Sequence, residues 1–162
     1  MRQETNCLPI SLPLLSSRSD GTPPSPGQRL RAVGGIFRSR KVSIVKILVV
    51  DDSEAFRKVM IELLVRVGFH DVAEAESFDS ALEVYKRDRP KISFVDMVLP
   101  GKNGVDLTRA IVSLDPKATV IAMSSIINKK MIRESLEAGA KDFLLKPTNE
   151  IALSSVLTMW SD

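Results

Sequence analysis

In the stretch KILVVDDSEAF, residues 46–56, two adjacent aspartates, Asp51 and Asp52, stand where an apolar run ends and a helical period begins. Carboxylates this close repel, and each raises the other's pKa unless a cation or a donor neutralises them. A third carboxylate, Asp96, follows the apolar run Ile92–Val95, while Ser124 follows Val120–Met123 and Lys146 follows Phe143–Leu145. Three carboxylates collected in one shielded place favour a hard divalent cation such as Mg²⁺, which takes a few oxygens and keeps room for water or phosphate. A lysine adds a mobile positive charge that can pair with a carboxylate or hold a phosphate oxygen, and a serine adds a hydroxyl donor. Together these groups are the equipment for an aspartyl phosphate: a nucleophilic carboxylate whose product oxygens are neutralised. Singly each is ordinary. An aspartate after a strand is often a cap, Lys146-Pro147 can simply end a strand, and Ser124-Ser125 can form a plain serine turn. The reading depends on their converging.

Convergence follows from the elements that carry them. Ile47–Val50, Ile92–Val95, Val120–Met123 and Phe143–Leu145 are short continuous apolar runs, the mark of parallel strands covered on both faces. Val72–Ala75 is weaker and interleaved with acids, as an edge strand can be. Between the strands lie helical periods. Ala55, Phe56, Val59, Met60, Leu63, Leu64 and Val67 recur at three and four, with Ser53 as N-cap and Gly68 as stop. Phe78, Ala81, Leu82 and Tyr85 follow Ser77, and Val105, Ala110, Ile111 and Leu114 follow the Asn103-Gly104 turn. Met131, Ile132, Ser135 and Leu136 run to Gly139, and Ile151, Leu153, Val156, Leu157 and Trp160 close the chain. Five βα units with right-handed crossovers give an α/β fold, a doubly wound parallel sheet with helices on both faces. Such sheets place their site beyond the carboxyl ends of the strands, where all five polar groups fall.

The chain has 162 residues, enough for one ordinary domain. No apolar run is long enough to cross a bilayer, and the single cysteine, Cys7, excludes an internal disulfide. The net charge of +3 misleads. Residues 1–45 hold seven Lys and Arg against Glu4 and Asp20, so the remainder carries 16 basic and 18 acidic groups. The charge balance of the folded part therefore does not support a nucleic-acid footprint there. Residues 1–41 are rich in Pro, Ser and Gly with no helical period, and read as a disordered tail or a misassigned start, with the domain at 42–162. LPISLPLL, residues 8–15, is broken by two prolines and lacks a cleavage site, against a secretory signal.

VVDDSEAFRKVM, VDMVLPGKNGVDL, VIAMSS and EAGAKDFLLKP together resemble the receiver domains of bacterial two-component response regulators, in register from about Lys46 to Trp160. The resemblance implies a flavodoxin-like, five-stranded sheet in the order 2-1-3-4-5. It implies that Asp96 accepts a phosphoryl group from a histidine kinase or phosphotransfer protein. Asp52, Asp96 and the backbone carbonyl of Val98 would hold Mg²⁺, with Asp51 helping through water. Ser124 would swing to the phosphate, Lys146 would pair with it, and Phe143 would follow as the second switch residue. A target protein would then read the face made by the helix at Met131–Ala138, the last strand and the last helix. The family implication is a cytoplasmic, monomeric signalling protein of the single-domain chemotaxis type, neither a conventional enzyme nor a direct nucleic-acid binder. The chain departs in carrying Phe143 where the family often has tyrosine. Ser124-Ser125 and Lys146-Pro147-Thr148 also resemble the receivers of chemotaxis methylesterases. Ending one helix past Lys146, it is expected to be a single-domain regulator or a fragment.

Two other readings use the same fold. A haloacid-dehalogenase-like, Mg²⁺-dependent phosphohydrolase also has a strand-end aspartate, a hydroxyl, a lysine and an acidic pair, but wants D-x-D after its first strand where this chain has adjacent Asp51-Asp52. A flavin-binding module wants a phosphate-cradling turn there, and none is present. Within the receiver reading, Val98 and Ile126, two residues past Asp96 and Ser124, would flank the phosphate and shield it from water.

Overall fold

A computed structural model of the chain describes residues 45–161; the expectations for residues 1–41 lie outside them. Five parallel strands, β1 (Ile47–Val50), β2 (Val72–Ala75), β3 (Ile92–Asp96), β4 (Thr119–Ser124) and β5 (Asp142–Leu145), alternate with five helices. The helices are α1 (Glu54–Arg66), α2 (Phe78–Asp88), α3 (Gly104–Leu114), α4 (Lys129–Glu137) and α5 (Glu150–Trp160). The strand order is β2-β1-β3-β4-β5, as the resemblance implied. Among the described residues no helix is long and apolar enough to cross a membrane.

Strand side chains alternate between two faces, which splits the core in two. Leu48, Val50, Val95, Val120 and Ala122 pack with Tyr85 of α2 and Leu107 and Ile111 of α3, and Met131 of α4 joins this layer. Ile47, Val49, Phe94, Ile121 and Met123 pack with Met60 and Leu64 of α1 and Leu153, Val156 and Leu157 of α5. Every βα turn emerges at the same sheet edge, where short polar residues cap the helices. Ser53 Oγ accepts from the Phe56 amide at 3.3 Å, Asn103 Oδ1 from Asp106 at 2.7 Å and Asn149 Oδ1 from Ala152 at 2.9 Å.

Asp96 and Ser124 end β3 and β4 as expected, each still pairing with its neighbour: Asp96 with Met123, and Ser124 with Leu145. Other boundaries move. α4 spans Lys129–Glu137 instead of Met131–Ala138, since Asn128 caps it two residues earlier. Not all the periodic apolar residues are core. Ile151 is 84% exposed, because the buried stripe of α5 runs through Leu153, Val156 and Leu157 and two residues is roughly 200° of helix away. Val59 and Leu136 also face solvent; the buried position of α4 is Ser135.

Candidate functional site

At the carboxyl edge one pocket is lined by Asp51, Asp52, Ser53, Phe56, Asp96, Val98, Ser124, Ser125, Ile126 and Lys146. The expected polar residues of four separate strand ends therefore meet. Phe143 lies outside the lining, partly buried against the core layer that α2 and α3 cover.

Asp51 follows β1 fully buried, its Oδ1 accepting from the Ser53 amide at 2.9 Å. Asp52 is exposed on the turn. Asp96 is 5% exposed and its Oδ1 accepts from the Val98 amide at 3.2 Å. The three carboxylates each bring an oxygen to within 4.8 Å of the others. An all-oxygen set of this kind, two members rigid and one open to water, fits a hard divalent ion.

Lys146, just past β5, supplies the counter-charge. Its Nζ lies 2.5 Å from Asp51 Oδ2 and 2.9 Å from Asp96 Oδ2, and 4.5 Å from the centre of the Phe56 ring. Burial would lower the lysine pKa, but hydrogen bonds and charge from Asp51 and Asp96 outweigh it and hold the ammonium form above its ordinary value. Asp96 goes the other way from most ion-paired carboxylates. Burial raises its pKa above the ordinary value, and Lys146 and the Val98 amide offset only part of that.

Ser124 is buried at the end of β4, and its Oγ accepts from the Ile126 amide at 3.2 Å. The plain serine turn that could explain this residue is thus present, yet it also faces the pocket. The two observations are compatible, since a hydroxyl accepting from a backbone amide keeps its own proton to donate.

The β3–α3 turn explains the D-x-x-x-P-G-x-x-G spacing. Gly101 turns the chain at φ +74, Val98 bridges Asn103, and the Gly104 amide donates to Met97 O at 3.1 Å. A Cβ on Gly104 would stand 2.0 Å from the Asp96 carbonyl oxygen, so only glycine lets α3 start against the strand end that presents Asp96.

Two lining or supporting residues escaped the sequence reading. Phe56, placed only in the apolar period of the helix, forms a wall of the pocket, and Arg57, not singled out at all, is buried beneath the acidic turn. Their partners, Lys146 and Glu74, lie far along the chain, so no local signal marks either.

Comparison with known proteins agrees with this geometry. A family model for the response regulator receiver domain matches residues 47–158. The chemotaxis protein CheY of Bacillus subtilis is 36% identical over 102 residues, covering 63% of this chain and 85% of that protein. A CheY-like receiver domain protein from Methanospirillum hungatei superposes with a TM-score of 0.69 at 25% identity, covering 74% of this chain and 95% of the other. A response regulator protein from Burkholderia pseudomallei, solved with a phosphorylated aspartic acid, a calcium ion and citrate, superposes with a TM-score of 0.64 at 26% identity, covering 72% and 66%. The dehalogenase-like reading finds no support: the receiver match runs from β1 into α5.

Proposed function

This chain belongs to the response regulator receiver family, and we propose that it is a signalling switch driven by phosphorylation of Asp96. The observation that carries the reading is the buried Asp96 carboxylate, 2.9 Å from Lys146 Nζ and within 4.8 Å of two further carboxylates. Asp96 Oδ2 has the lysine as its neighbour, so charge arriving there as phosphate meets a cation already in place. In the transfer, an Asp96 carboxylate oxygen forms the P–O bond as the P–N bond to a donor imidazole breaks, the electron pair staying on nitrogen, which takes a proton from solvent. Lys146 shifts its bond from the carboxylate to a phosphoryl oxygen, and Ser124 donates its hydroxyl to another. Asp52, Asp96 and the Val98 carbonyl would hold Mg²⁺, with Asp51 assisting through water. That ion supplies neutralisation of the phosphoryl oxygens when bound.

The phosphorylated aspartic acid and calcium ion of the Burkholderia pseudomallei protein support both assignments. The downstream consequence runs through Ser124 and Phe143 to α4, β5 and α5, which a target protein reads. The donor is a histidine kinase or a phosphotransfer protein, the setting is the cytoplasm, and the working unit is a monomer made by residues 42–162. The chain is a switch, with no chemistry beyond its own phosphorylation and dephosphorylation. Incubation with Mg²⁺ and acetyl phosphate, followed by peptide mass mapping, is expected to give one base-labile phosphoryl mass on Asp96. Labelling of Asp96→Asn to the wild-type extent would refute the assignment.

A further inference from the structure

Burying an arginine is costly unless its donors are used, and α1 buries three residues: Met60, Leu64 and Arg57. Arg57 Nη1 donates to the backbone carbonyl of Asp51 at 2.8 Å, a buried bond, and its Nε donates to Glu74 Oε2 at 2.9 Å. The guanidinium therefore spans from the edge strand β2 to the turn that carries the acidic pair.

The two aspartates of that turn are held differently. The Asp51 carboxylate is fixed by the Ser53 amide and by Lys146. Asp52 is exposed, and its carboxylate has no hydrogen bond among the described residues, yet it reaches within 4.8 Å of the other two. Its direction must come from the backbone. The peptide that joins Asp51 to Asp52 is the one whose carbonyl Arg57 clamps, and a rotation of that peptide would swing Asp52 away from Asp96.

We infer that Arg57, braced by Glu74, is a positioning residue for the divalent-cation site: it fixes the peptide plane from which Asp52 projects. A guanidinium is suited to this, because it presents differently directed N–H donors in one rigid planar fork. The inference rests on the reading of Asp51, Asp52 and Asp96 as the cation site.

The test is a Mg²⁺ titration of the full chain followed by amide NMR shifts, in wild type, Arg57→Met, Asp52→Asn and the double variant. Outer support of a metal site is commonly worth about tenfold or more in affinity. Arg57→Met is expected to weaken Mg²⁺ roughly tenfold, and to change nothing further once Asp52 is already Asn. A brace that only staples β2 to α1 would not depend on Asp52 in this way. Equal affinity in wild type and Arg57→Met, or an equal loss with and without the Asp52 carboxylate, overturns the inference. Should Arg57→Met fail to fold, Glu74→Ala takes its place, since half of the Glu74 side chain is already in solvent. A smaller loss of affinity that again vanishes beside Asp52→Asn supports the brace, and an unchanged affinity overturns it. Wild type that ignores Mg²⁺ sinks the cation reading itself, and this inference with it, whereas a binding wild type with an indifferent Arg57→Met sinks this inference alone.

Discussion

Lys146 Nζ stands 2.9 Å from Asp96 Oδ2 with 10% and 6% of the two side chains exposed, so the carboxylate proposed as phospho-acceptor is already ion-paired and shielded from solvent. The same nitrogen also holds Asp51, which is buried still more deeply. Removing the lysine would leave two carboxylates buried without their cation, the situation that breaking a buried pair makes costly. Lys146→Met is expected to lose about 3 kcal/mol at neutral pH in urea unfolding. In that variant burial acts on Asp96 with no lysine to offset it, which lifts its folded-state pKa further above the unfolded value. The cost is therefore present at neutral pH and disappears below the unfolded carboxylate range. A loss that is the same at pH 7 and in acid would show that packing, not charge, dominates.

Asp96→Asn is expected to raise the melting temperature at neutral pH while abolishing labelling. Burial holds the Asp96 pKa above its ordinary value despite Lys146. A raised folded pKa means that the protonated carboxyl favours the fold, and that this stability is lost as pH rises through the folded value. Asparagine never ionises and keeps the shape. Scanning calorimetry should show the variant ahead at neutral pH, with the gap closing as the wild-type carboxyl protonates in acid. A variant that melts lower at neutral pH would mean that Asp96 gains more from Lys146 than it gives up in hydration.

Gly104 and Gly101 separate close approach from turn conformation. Gly104→Ala brings a Cβ to 2.0 Å from the Asp96 carbonyl oxygen and 2.7 Å from Met97 Cα, both backbone atoms that cannot rotate aside. Gly101→Ala meets nothing within 4 Å and suffers only its positive φ, worth about 1 kcal/mol. Chemical denaturation should find Gly104→Ala the more damaging, by up to about 3 kcal/mol, together with slower labelling because the strand end carrying Asp96 must shift. Equal costs would contradict a steric clash between α3 and the end of β3, since Gly104→Ala would then cost no more than the backbone strain at Gly101 alone.

The residues legible in the sequence were those where one apolar run is ended by one polar side chain. Asp51, Asp96, Ser124 and Lys146 each stand out locally, and a parallel sheet brings such ends together whatever the loops do. The order of the strands was not legible that way, because each run is equally apolar; it came through the resemblance. Arg57 was opaque for a different reason. Its burial depends on Glu74 across the sheet and on a carbonyl, neither of which has a sequence period. Ile151 misled in the opposite direction, since an apolar side chain in a nearly charge-free helix carries no mark of which side faces water.

Val98 and Ile126 bear on how long the phosphorylated state lasts. Both line the pocket with Asp96, and they are 59% and 63% exposed, which puts their side chains at its mouth. Each is also tied to a polar group of the pocket: the Val98 amide donates to Asp96 Oδ1, and the Ile126 amide to Ser124 Oγ. Hydrolysis needs a water in line with the phosphorus, and a hydrogen bond that orients it lowers the barrier. Neither branched hydrocarbon can make that bond, and at the mouth of the pocket both would stand in the way of an approaching water. Val98→Asn or Ile126→Glu supplies one oriented bond, worth about 1.4 kcal/mol, and should speed decay of the phosphoprotein about tenfold. The check is loss of label after the donor is removed, in wild type and both variants at fixed Mg²⁺. If the substitutions leave decay unchanged or slow it, these side chains only pack their loops, and the lifetime is set elsewhere in the pocket.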